Sequence, residues 1–380
     1  MTSFSFLSTF PPTRCGLATF TQSLAAAVTS TGIDSARIVR VVDDVDAASP
    51  SVVGSRTTIA GELRVGEAGA TRSAARTLST SDVVVVQHEY GIYGGVDGED
   101  VLEVLDALTA PSIVVLHTVL DAPSDHQRWV LEQVTARAQS VVVMTERARD
   151  LLESSYDVNM NHVSVIAHGV PTWETVAVTP RLDRFTMLTW GLIGPGKGLE
   201  WGIRAVAELR DQFPPVHYEI LGETHPKVVA HEGEAYRNRL IALAADLGVA
   251  DRIHFVDSYL DSDGIAEHVA AADLVLLPYD SRTQITSGVL VEAVAAGKHV
   301  IATGFPHAQE LLVGDVGTIV EHESPADIAR AVRLFVQRGH IDPAPATADA
   351  IESDTGWDAI ADRYRLLADA TRADRPARTA

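Results

Sequence analysis

Three stretches hold side chains whose types and spacing could do chemistry. The first is "WGLIGPGKGLEW", residues 190–201, where Gly191, four intervening residues, Gly196 and Lys197 approach the pattern of a phosphate-binding P-loop. That motif next needs Ser or Thr as a magnesium ligand, and Gly198 stands there instead, which argues against a metal-dependent nucleotide hydrolase. A turn rich in glycine (Gly194, Gly196) that runs into a helix start still offers amide N–H groups and a positive dipole end to an anion. Lys197 adds a full charge.

The second stretch is "TSGVLVEAVAAGK", residues 286–298. A helix is expected over 287–296, opened by Ser287 as N-cap and stopped by Gly297. Its body is apolar on every side except at Glu292, so the carboxylate is expected to be buried and to need a partner. Lys or Arg would serve; so would paired hydroxyls such as a ribose diol. The amides of Ser287, Gly288 and Val289 would meanwhile face a phosphate, and ribose plus phosphate on one helix means a nucleotide.

The third group is scattered through the first half. "STFPPTRCGLATF" puts two prolines, Arg14 and Gly16 between a strand and a helix start, an abrupt junction that suggests something is held there. His117 ends "SIVVLH", and His88 and Glu89 close "DVVVVQHE". In the second half "GETHPK" places Glu223, Thr224 and His225 just past a strand, near the expected base or phosphate pocket. For His88, Glu89, Glu223, Thr224 and His225, ligand contact and loop support are equally compatible with the sequence. "DDVD" (43–46) has metal-site residue types but reads better as a solvated turn, and Cys15 reads as a small packing residue.

Positioning these groups falls to short Val/Ile/Leu runs that alternate with amphipathic stretches. Runs without polar alternation suggest strands covered on both faces, hence parallel sheets with helices between them. The pattern breaks at 171–184 and restarts at "RFTMLTWG". The expected architecture is therefore α/β with two Rossmann-like doubly wound domains, 1–175 and 176–355. A C-terminal helix over 356–372 is expected to pack back across the domains, after a Pro/Ala-rich connector at 341–354 and before a frayed tail at 373–380. A length of 380 residues suits two such domains. Ligands of open α/β sheets bind at the carboxyl ends of the strands.

The formal net charge of −21, with no block of Lys and Arg, argues against nucleic-acid binding and anionic lipid surfaces. No run approaches the roughly 18–20 apolar residues of a membrane span. The N-terminus has no basic region or cleavage site of a signal peptide, and the single cysteine suits a reducing compartment, so a cytoplasmic location is expected.

Taken together, "PPTRCGLATFT", "LHT", "VIAHGVP", "GPGKGLE" and "TSGVLVEAVAAGK" resemble the retaining glycosyltransferases of family 4, which have the GT-B fold. The resemblance implies a nucleotide-sugar held mainly by the second domain. It assigns Lys197 to the donor diphosphate, Glu292 to the ribose and His117 to the neighbourhood of the transferred sugar. Gly16 becomes part of a loop that approaches the donor, and Gly194, Gly196, Gln284, Thr286, Ser287, Gly288 and Val289 complete the donor set. Two positions depart from the family pattern. Gln284 stands where the first glutamate of Glu-x7-Glu belongs, and Leu192 stands where the lysine loop usually carries an arginine, for which Arg282 or Arg14 could substitute.

The expected activity is retaining, metal-independent transfer of a hexosyl group from a nucleotide diphosphate sugar, UDP- or GDP-linked, to a hydroxyl of a soluble sugar, oligosaccharide or small metabolite. No cofactor is expected, since the nucleotide-sugar is a co-substrate. A helix at 17–30 without Lys or Arg disfavours a membrane-bound acceptor. The alternatives are a GT-B phosphorylase, a nucleotide-sugar epimerase, or a silent nucleotide-sugar-binding protein. Oligomeric state, base, sugar and linkage are left open by the sequence.

Overall fold

The computed structural model describes residues 1–42, 56–173, 183–338 and 345–373. The chain divides into two units, Met1–Gly169 with Trp357–Ala380, and Val170–Gly356. The "DDVD" turn at 43–46, much of the break at 171–184 and almost all of the tail at 373–380 lie outside the described residues.

In the first unit the strands are β1 (Ser3–Ser8), β2 (Ser35–Val42), β3 (Thr57–Arg64), β4 (Val83–His88), β5 (Ser112–Leu116), β6 (Ser140–Val143) and β7 (Val163–Val165). They form one parallel sheet in the order β3-β2-β1-β4-β5-β6-β7. Every residue of β4 is buried, as a strand covered on both faces must be, and this explains its unbroken Val run. Helices are set by local caps: Ser124 and Gln127 form a capping box for Asp125–Arg137, and Thr145 accepts from the Ala148 N–H at 3.0 Å.

The second unit repeats the plan with β8 (Phe185–Trp190), β9 (Val216–Leu221), β10 (Ile253–Val256), β11 (Leu274–Leu277), β12 (Val300–Thr303) and β13 (Gly317–Val320). These are also all parallel, in the order β10-β9-β8-β11-β12-β13. Strand order reverses between β1 and β4 in one unit and between β8 and β11 in the other. At such a switch point the loops leave in opposite directions and open a crevice at the carboxyl edge. Residues 9–15 and 89–95 flank the first crevice, and residues 191–198 and 278–287 the second.

The expected C-terminal helix is Trp357–Ala373, and it packs back into the first unit, where Ile360, Ala361, Tyr364 and Ala368 join the core of Phe4, Phe6, Phe20 and Leu24. Arg365 also donates to the carbonyls of Ala27 (2.9 Å) and Val28 (3.0 Å), at the C-terminal end of the helix Gly16–Thr29, where a cation meets the negative dipole end. The division accordingly falls at 169/170 and 356/357 rather than at 175/176 and 355/356. The connector at 341–354 is not all loop either, because a helix runs over Pro345–Thr355. Strands β3 and β13 and the helices Ala70–Leu78 and Pro325–Gln337 are among the elements with no counterpart in the sequence reading.

Candidate functional site

The second unit builds its crevice from the lysine loop. After β8 the chain turns at Gly191, and the Lys197 N–H donates to the Gly194 carbonyl at 3.2 Å. Gly198, at φ +61, caps the helix Leu199–Glu208; a Cβ there would lie 1.8 Å from the Pro278 carbonyl oxygen. The Asp280 N–H donates to the Gly196 carbonyl at 3.0 Å, and the Trp201 indole N–H to Asp280 Oδ1 at 2.7 Å. The loop after β8 is thereby locked to the loop after β11. Lys197, half-buried, holds its ammonium 4.4 Å from the centroid of the Tyr279 ring. Tyr279 is 1% exposed and stacks on Phe305, so the platform beneath the ammonium is rigid.

On the same crevice edge, the helix Gly288–Ala295 starts from Ser287, whose hydroxyl accepts from the Leu290 N–H. The Ser287 N–H donates to His307 Nδ1 at 2.9 Å, so of the three amides expected to face a phosphate this one is spent inside the protein. Those of Gly288 and Val289 are unbonded among the described residues. The start of this helix also meets the lysine loop, since a Cβ on Gly191 would sit 3.8 Å from Val289 Cγ2. Gln284 turns inward, its side-chain amide donating to the Thr286 carbonyl at 3.2 Å, and the Thr286 hydroxyl is buried with no partner among the described residues. Arg282 is exposed.

Glu292, half-buried on that helix, accepts one hydrogen bond, from the Trp190 indole at 3.2 Å. No cation pairs with it among the described residues. Desolvation pushes its carboxyl up to about 7, and the indole only partly offsets this.

Residues 223–225 pair with the lysine loop, and the three side chains differ in what they offer. Thr224 is buried between Glu234 and Arg237, its hydroxyl donating to one and accepting from the other, so it holds the loop rather than facing a ligand. Glu223 and His225 are half-buried.

The crevice edge of the first unit has a different chemistry. His117 Nε2 lies 2.6 Å from Gln87 Oε1, with its ring edge-on to Phe20; His168 donates from Nδ1 to the Gly169 carbonyl at 2.7 Å and also meets Phe20. His88 is fully buried, with neither ring nitrogen bonded among the described residues. Burial pushes these imidazoles down, His117 to about 3, His88 and His168 to about 4, so all three are neutral at pH 7. Glu89 accepts from the Thr118 hydroxyl at 2.5 Å. Gly16 opens its helix on the exposed side, and a Cβ there would meet no atom within 4 Å, so local packing does not require glycine. Arg14 is exposed, and Cys15 Sγ sits 3.2 Å from the Thr9 hydroxyl.

Sequence reasoning missed Trp190, Tyr279, Gln87, His168 and His307. His168, Trp190 and Gln87 lay within the quoted "VIAHGVP", "WGLIGPGKGLEW" and "DVVVVQHE", but their roles, like those of Tyr279 and His307, depend on partners distant in sequence.

Two parallel doubly wound units, each with its crevice at a strand-order reversal, define the GT-B class. In comparisons with solved structures the chain is similar to sucrose-phosphate synthase from Thermosynechococcus elongatus (TM-score 0.75, 17% identity, 99% of this chain and 100% of that one). It is also similar to Anabaena Alr3699/HepE in complex with UDP and glucose (TM-score 0.73, 16% identity, 97% and 100%). Residues 184–338 match the family described as glycosyl transferases group 1. The match takes in most of the second unit, so the similarity to group 1 glycosyltransferases lies there, in keeping with the resemblance of the chain to family 4. Among curated relatives, the D-inositol 3-phosphate glycosyltransferase of Streptomyces bingchenggensis is 32% identical over 246 residues, covering 60% of this chain and 52% of that protein. The chain spans about half the length of the curated relatives it matches.

Proposed function

We propose that the protein transfers a hexosyl group from a nucleoside diphosphate sugar to a hydroxyl of a soluble acceptor, with retention at the anomeric carbon. The observation that carries this reading is Glu292: a half-buried carboxylate without a cation among the described residues, beside a lysine loop and a helix start whose Gly288 and Val289 amides are likewise open there. Burying an acid this way is costly unless a ligand completes it, and a ribose diol donating two hydrogen bonds does so.

Lys197 and the amides of Gly288 and Val289 then meet the diphosphate, where charge builds as the C1–O bond to phosphate breaks. The new bond forms from the acceptor oxygen to C1 on the same face, and the acceptor's proton passes to the departing phosphate oxygen. The reading assigns leaving-group charge to Lys197 and these amides rather than to a metal, as the family resemblance implies. The ligand of the Anabaena neighbour supports UDP-glucose as the first donor to try. The curated relatives' name makes an inositol phosphate one acceptor to include beside free sugars and polyols.

The test incubates the protein with UDP-, GDP- and ADP-sugars, with and without acceptors, and reads product and anomeric configuration by NMR. Lys197→Ala is expected to cost roughly 3 kcal/mol of transition-state stabilisation, about a hundredfold in turnover. Unchanged turnover would refute the assignment. Consumption of donor without acceptor would point to an epimerase, and donor binding without transfer to a silent binder.

A further inference from the structure

Leu192 leaves the lysine loop one phosphate ligand short of the family pattern, and the strongest replacement lies in the loop after β9. That loop is zipped to the lysine loop: the Ile193 N–H donates to the Glu223 carbonyl and the His225 N–H to the Ile193 carbonyl, both at 2.8 Å. A Cβ built on Gly194 would lie 3.8 Å from the Cβ of His225. His225 Nδ1 accepts the Lys227 N–H at 3.1 Å, and this fixes the tautomer that carries its proton on Nε2. Nε2 makes no hydrogen bond among the described residues.

Protonating Nδ1 would set that N–H against the Lys227 N–H. Burial and the charges of Lys227 and Lys197 act in the same direction, holding His225 below the ordinary imidazole value. The group is therefore a fixed neutral donor next to the phosphate-binding lysine.

We propose that His225 is a ligand of the donor diphosphate, its Nε2–H supplying from the loop after β9 a phosphate contact that Leu192 does not. This rests on the nucleotide-sugar reading above. Neither exposed arginine, Arg14 or Arg282, is needed for the role.

The experiment is calorimetric titration of the whole protein with UDP, GDP, ADP and inorganic pyrophosphate. His225→Asn keeps an acceptor near the Nδ1 position for the Lys227 amide but removes the Nε2 donor; His225→Gln restores a donor at about the Nε2 reach. The Asn variant is expected to melt like the wild type yet to bind the preferred nucleoside diphosphate about tenfold more weakly, or worse. The Gln variant should recover part of the loss. A purely loop-holding histidine would leave the Asn variant's affinity unchanged, and that result would overturn the proposal. If Lys197→Ala weakens diphosphate binding while His225→Asn does not, the nucleotide-sugar reading stands and His225 falls. If the wild type binds none of the four probes, both fall.

Discussion

The two crevice edges share an architecture and differ in electrostatics. The first unit lines its edge with three neutral imidazoles; His117 pairs with Gln87 and Glu89 with Thr118, while both ring nitrogens of His88 and Nε2 of Gln87 have no partner among the described residues. The second unit leaves its groups open: an ammonium over an aromatic face, a carboxylate with one neutral donor, and two unbonded amides. The difference shows that a doubly wound sheet supplies only a place. What differs is the chemical type of the groups at that place: imidazoles in the first unit, an ammonium, a carboxyl and amides in the second.

The sharpest way to break this comparison is backbone sterics. Gly198→Ala must push a Cβ into the Pro278 carbonyl at φ +61 and is expected to cost the second unit about 3 kcal/mol or more, with loss of nucleotide binding. Gly16→Ala, with open space around its Cβ, should leave the first unit's denaturation midpoint unchanged. Equal destabilisation by both would remove the contrast.

Acid titration separates the units by sign. His88, His117 and His168 have pKa values depressed in the folded state, so the unfolded chain binds their protons first. Stability should fall as pH drops below the ordinary imidazole value of 6.5 toward about 4, by roughly 2 kcal/mol per histidine at pH 5. His88→Phe should flatten that slope between pH 7 and 5, measured by denaturant unfolding; an unaltered slope would show that His88 does not titrate this way.

Glu292 behaves in the opposite sense. Its folded value, about 7, lies above the ordinary carboxyl value of 4.5, so its contribution is fully present below 4.5 and is lost as pH rises through 7. Glu292→Gln should therefore stabilise the ligand-free protein by about 1–3 kcal/mol at pH 8, with no gain below pH 4.5. The same change should raise the Michaelis constant for the donor. A variant less stable at pH 8 would mean that the carboxylate is already satisfied.

The smallest effect is expected at the platform under Lys197. Tyr279→Leu removes the ring and should weaken diphosphate binding by about 1 kcal/mol, whereas Tyr279→Phe should keep it. If Phe and Leu weaken binding equally, the ring face is not what holds the ammonium.

Much of the fold was legible because apolar runs without alternation permit only a buried parallel strand or a buried helix, and their length decided for strands. Strand β3, "TTIAGELR", was missed because its half-exposed interior residues give no such run. The docking place of the terminal helix was not legible for a related reason. Its Trp357, Ile360, Tyr364 and Leu367 declare an apolar face, but not which of two similar cores it fits.

For the site, Lys197 and Glu292 stood out by local contrast: a cation among glycines, and one acid in an apolar helix. Local sequence also named Ser287, Gly288 and Val289 as open amides, yet Ser287 turned out to be bonded to His307, twenty residues on. Thr224 likewise proved to be tied to Glu234 and Arg237.

The sequence by itself determined the two doubly wound units, the lysine loop and the carboxylate, because each follows from periodicity or from a residue out of keeping with its neighbours. Only the tertiary structure decided which polar groups are already satisfied, which imidazoles are too buried to charge, and that Tyr279 and Trp190 lie against the two key charges. Hydrogen-bond satisfaction and desolvation depend on atoms brought together from distant strands, and no local pattern of residues encodes them.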